Sequence, residues 1–131
     1  MGLIYYDQKM YRSSIKQISR LILQKDFINL SLQFQLKILI SEIIIRYELN
    51  QTDIKEDKIK TIRRKYKNTL NQNQRDKSMI LIIHNLIYCN NLNRDKNLLS
   101  KIKELIEKTS KQNAQNIDVI NYNEWLNTLI S

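Results

Sequence analysis

The sequence predicts an all-α protein: an antiparallel stack of about six helices, with residues 1–131 forming a single domain. Three features carry that expectation. Apolar residues recur three and four positions apart in nearly every segment, which is the period of one helix face and not the period of two that a strand shows. The chain has one glycine and no proline. Tight hairpins and phosphate-cradling loops lean on glycine, because a residue without Cβ takes positive φ freely. The breaks between apolar segments are rich in Asn, which tolerates the left-handed conformation and can replace glycine at helix ends.

An apolar stub, Leu3 to Tyr6, precedes a break at residues 7–9. The first full helix is predicted over residues 11–25, with Tyr11, Ile15, Ile18, Leu21 and Ile22 on one face. Asp26 and Asn29 mark a turn. The next segment, residues 30–49, carries two apolar strips. Phe34, Ile38 and Ile45 form one; Leu32, Leu36, Leu39, Ile43 and Tyr47 form the other. Polar seams separate them, Gln33, Lys37, Ser41 and Glu48 on one side and Gln35, Glu42 and Arg46 on the other. A helix with two apolar faces needs neighbours on both sides, so this one takes the middle of the stack, with Leu39 and Ile43 among the most buried residues.

Residues 50–53 break the pattern. Asp53 and Glu56 have N-cap and N3 chemistry, opening a helix with Ile59, Ile62, Tyr66 and Leu70 inward. Residues 71–74 read as a polar turn. A strongly apolar helix follows over residues 77–89, with Met79, Ile82, Ile83, Leu86 and Ile87, and Asn90, Asn91 and Asn93 end it. The next helix turns Leu98, Leu99, Ile102, Leu105 and Ile106 inward. On its outer face Glu104 pairs with Lys108 and Glu107 with Lys111, each worth a few tenths of a kcal/mol. After a polar loop at 111–116, Asn121 caps a last helix holding Tyr122, Trp125, Leu126, Leu129 and Ile130, with Trp125 docking it on the core.

Composition narrows the function. A hydrophobic fraction of 42% excludes a disordered chain. No apolar run reaches the roughly 18–20 residues of a membrane span, so no membrane partner is expected. The N-terminal residues lack the basic flank and cleavage site of a signal peptide. A single cysteine, Cys89, forms no internal disulfide and fits a reducing cytoplasm. The net charge of +9 fits a polyanionic partner, but it also follows from A/T-rich codons, which enrich Ile, Lys and Asn together.

Catalytic chemistry finds little support. His84 is the only histidine, and Cys89 lies five residues on, about 140° around the same helix, so the two cannot chelate together locally. Glu42, Glu48, Glu56, Asp57, Glu104 and Glu107 each suit a cap, an ion pair or a solvated seam. Ser13-Ser14 has no base near in sequence, and no glycine-rich phosphate loop exists. The chain therefore reads as a non-enzyme with no cofactor and no metal. One constellation stands above the background. Lys60, Arg63, Arg64 and Lys67 share the helix side opposite Ile59, Ile62 and Tyr66, and Arg75 and Lys77 extend the patch. It is either a phosphate-binding face or the solvated surface of a Lys-rich helix, and it lacks interleaved aromatics for stacking on bases.

Tyr11, Ser14, Ile18 and Leu21, with Gly2 and Tyr5 before them, resemble a degenerate tetratricopeptide repeat. Leu21 departs from the small residue usual there. A longer stretch resembles the C-terminal part of repeat-like bacterial proteins of unassigned role. Its cues are Ile44-Ile45-Arg46-Tyr47-Glu48-Leu49, Arg63-Arg64-Lys65-Tyr66 and Glu124-Trp125-Leu126. The resemblance implies an α-solenoid scaffold, the chain being the end of a longer repeat protein closed by a capping helix. The expected function is thus a scaffold or protein–protein interaction module, bound to another protein or to the remainder of its own chain. A basic nucleic-acid-binding domain is the alternative. Charge concentrated on one face favours nucleic acid; charge spread over several faces favours the scaffold.

Overall fold

A computed structural model describes residues 8–89, 91–110 and 122–130. Among them stand seven α-helices and no strand: α1 (Gln8–Leu23), α2 (Leu32–Glu48), α3 (Thr52–Lys65), α4 (Lys67–Gln72), α5 (Gln74–Ile87), α6 (Lys96–Ser110) and α7 (Tyr122–Ile130). Single 3-10 turns at Lys25–Asn29 and Leu92–Arg94 join α1 to α2 and α5 to α6. The expected all-α stack is therefore the fold. Helices pack on their chain neighbours, and α2 also packs on α4 and α5. The stub at 3–6, the loop at 111–116, Lys111, Asn90 and the cap at Asn121 lie outside the described residues.

Helix α1 is amphipathic as expected. Tyr11 and Ile18 are buried, and Arg12, Lys16 and Arg20 face outward. Gln8 and Lys9 belong to this helix, not to a break before it. Ser31 Oγ accepts the Phe34 N–H at 3.2 Å and caps α2. At its other end, Asn50 takes a φ of 60°. There the Gln51 N–H donates to Arg46 O at 2.9 Å and the Asn50 N–H to Tyr47 O at 3.1 Å, the paired bonds of a Schellman motif. Asn thus performs the glycine role at this helix end.

Helix α2 is buried on all sides. Every residue from 35 to 45 is buried except Leu39. Leu36, Ile40, Ile43, Ile44 and Ile45 have no exposed surface. Three members of its predicted apolar strips depart from expectation. Leu39 is only half-buried, because it sits over a cleft between α1 and α3, beside Ile22, Phe27 and Tyr66. Leu32 and Phe34, in the first turn of α2, are exposed.

Apart from exposed Gln33, the polar residues in the seams of α2 are buried or half-buried, and each of them finds a partner. Lys37 Nζ lies 2.8 Å from Asp76 Oδ1, with side chains 9% and 0% exposed. The Tyr122 hydroxyl donates to the same oxygen at 3.1 Å, which ties α7 to α2 and α5. Gln35 Nε2 donates to Leu30 O at 2.9 Å, while its Oε1 accepts the Tyr66 hydroxyl at 2.8 Å. Glu42 Oε2 accepts from Arg46 Nη2 at 3.1 Å and lies 3.4 Å from Lys58 Nζ. Trp125 Nε1 donates to Glu48 Oε1 at 2.8 Å.

Several boundaries differ from the sequence reading. The helix after Asn50 starts at Thr52, so Asp53 is not its cap but lies in its first turn, near the positive end of the helix dipole. The same helix does not run on to Leu70. It breaks at Tyr66, at φ −114° and ψ 26°, where the buried ring is held by Gln35, and α4 starts at Lys67. The turn expected at 71–74 shrinks to Asn73, whose Oδ1 accepts the Asp76 N–H at 3.2 Å and caps α5.

Urea unfolding should separate the two α2 residues expected in the core. Ile43→Ala should cost about 2–5 kcal/mol, and Leu39→Ala less than about 2 kcal/mol, since its side chain is already part-solvated. Lys37→Met should cost about 3–5 kcal/mol by stranding the Asp76 carboxylate, and Lys37→Met with Asp76→Leu should recover most of that loss.

Candidate functional site

The basic face grows from the antiparallel pairing of α3 with α5. The outward positions of α3, Glu56, Lys60 and Arg63, recur every three or four residues, and Lys67 continues the line into α4. Positions Lys77, Leu81, His84 and Tyr88 do the same on α5. At one end the Tyr88 hydroxyl donates to Glu56 Oε1 at 2.6 Å. At the other, Arg63 and Lys67 stand across from Lys77.

All four expected residues are exposed, but only Arg63 and Lys67 line the same groove. Lys60 Nζ lies 4.0 Å from Glu56 Oε1 and leans toward the Tyr88 end. Arg63 and Lys67 join Lys77 on the rim of a groove of about 230 Å³, floored by Leu70, Ile80 and Leu81. Arg64 is exposed on α3 but does not line that groove. Lys77 Nζ donates to Asn71 Oδ1 at 3.2 Å, which holds the ammonium along the rim. Arg75 does not extend the patch. Its guanidinium lies 4.4 Å from the Tyr122 ring centroid, drawn to the negative face of the ring.

Leu81 escaped notice in the sequence, inside the apolar run 80–83. It is 43% exposed. The signal was present: position 81 lies four residues after Lys77 and away from the inward face of Met79, Ile82, Ile83 and Leu86. The groove is smaller than the roughly 300–1,000 Å³ of drug-sized ligand pockets, but it suits a side chain. Among the described residues no carboxylate lines it.

Cations also cover other faces, Arg12, Lys16 and Arg20 on α1 and Lys96 and Lys103 on α6, while Lys101 and Lys108 of α6 stand on the far side of Leu81. The charge is spread. His84 is half-buried, its ring edge-on to Tyr88 with centroids 5.3 Å apart. Cys89 is half-buried at the core edge.

Hydrogen bonding to the Glu56 carboxylate pushes the Tyr88 phenol above its ordinary 10.0, with burial and the charge of Glu56 adding to it. Burial raises Tyr66, and burial with the charges of Glu48 and Cys89 raises Tyr47. A raised folded pKa means that the associated stability is fully present below pH 10 and is lost as pH rises through the folded values. Ultraviolet difference titration should therefore show late-ionising tyrosines, and Glu56→Gln should bring Tyr88 back toward 10.0 while leaving Tyr66 unmoved.

No family model matches the chain, and no curated protein or solved structure matches it significantly.

Proposed function

We propose that the chain is a non-enzymatic helical interaction module that holds a segment of a partner protein in the groove between α3–α4 and α5. One observation carries the reading: buried Leu70 and Ile80 and exposed Leu81 line a groove inside a cationic rim of Arg63, Lys67 and Lys77. Apolar anchor pockets with charged edges are how proteins recognise amphipathic segments. A duplex-binding surface needs a run of cations aimed at phosphates. Here the cations beside the groove surround apolar side chains, further cations lie away on α1, and the exposed Tyr88 ring just past α5 is tied to the carboxylate of Glu56, a charge that repels phosphate. The packing of each helix on its chain neighbour supports the tetratricopeptide-like, scaffold reading, while the extra contacts of α2 with α4 and α5 make the stack more compact than an open solenoid.

Salt-dependent anisotropy with duplex DNA tests the competing reading. Four phosphate contacts through Lys60, Arg63, Arg64 and Lys67 would give a log–log slope near about −3.6. We expect only weak, salt-labile binding without sequence preference. Sub-micromolar binding at physiological salt that disappears when those four residues become Gln would replace the protein-binding reading with nucleic-acid binding. Affinity capture should lose its specific partner when Arg63, Lys67 and Lys77 become Glu.

A further inference from the structure

The geometry points to an acidic amphipathic helix as the partner segment, lying across α5 with one apolar anchor on each side of Leu81. This rests on the protein-binding reading above. Leu81 lines two grooves at once. One is the Arg63–Lys67–Lys77 groove; the other, about 160 Å³, lies between α5 and α6 and is lined by Ile82, Leu105, Lys101, Glu104 and Lys108. Leu81 is the ridge between them, 43% exposed, on a helix whose other large apolar residues from Met79 to Leu86 are buried.

The rims set the sign of the partner. Five cations border the two grooves: Arg63, Lys67, Lys77, Lys101 and Lys108. Among the described residues they face one carboxylate, Glu104, which is already 3.1 Å from Lys108 Nζ. An occupant gains by bringing carboxylates to both edges. It also has to be apolar in the middle, because hydrated phosphates over Leu81 would cover an apolar side chain without packing against it. That disfavours nucleic acid here.

The spacing sets the form. Neighbouring helix axes lie roughly 8–10 Å apart, so the grooves flanking α5 are about that far from each other. On a helix, residues i and i+7 are about 10.5 Å apart along the axis and share a face. A helix crossing α5 therefore seats i in one groove and i+7 in the other, with small residues at i+3 and i+4 over Leu81 and acidic residues along its flanks. An added strand has no sheet edge to join among the described residues.

The test uses the full chain and a labelled synthetic helix with Leu at i and i+7, Ala at i+3 and i+4, and Glu on the flanks. Fluorescence anisotropy should show it binding at least about tenfold more tightly than versions with Lys for Glu or Ser for Leu. Leu81→Glu should weaken binding by at least about tenfold with the circular dichroism unchanged, and Arg63→Glu and Lys101→Glu should each weaken it too. Equal binding of the Glu and Lys helices, or binding indifferent to Leu81→Glu, overturns the proposal, as does tighter Leu81-dependent binding of duplex DNA or anionic vesicles. If amide shifts place the acidic helix at exposed Leu23, Ile28 and Leu32 instead, this site and the groove placement fall and only the interaction-module reading stands. If no peptide binds and the capture experiment is also indifferent to the rim charges, both fall.

Discussion

Between residues 35 and 45, helix α2 has almost no solvent face, and the rest of the molecule is arranged around that constraint. Helices α1, α3, α4 and α5 enclose it. Any polar group on it must find a partner inside the protein, because a buried unpaired charge costs several kcal/mol. Lys37 is therefore matched by Asp76 of α5, Glu42 by Arg46 and Lys58, and Gln35 by Tyr66. These pairs specify position. Lys37 can meet Asp76 only when α2 and α5 are in one register, and Tyr122 then adds α7 to the same carboxylate. Purely apolar packing along α2 would tolerate sliding more readily than this set of fixed partners.

The groove on the outer face is a consequence of that inner matching. Tyr66 must turn its hydroxyl to Gln35, and the helix breaks there. Just past the break, Lys67 and Leu70 of α4 line the groove that Lys77, Ile80 and Leu81 line from α5. Arg75 and Lys77 are two residues apart, so they lie on different sides of α5. One stacks on Tyr122 and the other reaches the rim. A basic residue here is structural or superficial according to its phase relative to Asp76, the residue between them.

Helix ends follow a chemistry suited to a chain with almost no glycine. Asn50 supplies the left-handed residue after α2, Asn73 caps α5, and Asn91 accepts the Asn93 N–H at the following 3-10 turn. The amide side chain both accepts backbone N–H groups and tolerates positive φ, so one residue type serves starts and stops. Short links of this kind keep sequential helices adjacent, which favours a stack.

The helical class, most of the helix order and the central place of α2 are legible in the sequence, because apolar periodicity and helix-end chemistry are local properties. The sequence also identified Arg63 and Lys67 as outward-facing, since position on a helix face depends only on spacing from Ile59, Ile62 and Tyr66. Tertiary structure alone decided the rest. The break at Tyr66, the inward turn of Arg75, the half-burial of Leu39 and the exposure of Leu81 all depend on which neighbour lies across each face. Partners such as Lys37 and Asp76, 39 residues apart, leave no periodic trace in either helix, because their attraction acts only after the chain has brought α2 and α5 together.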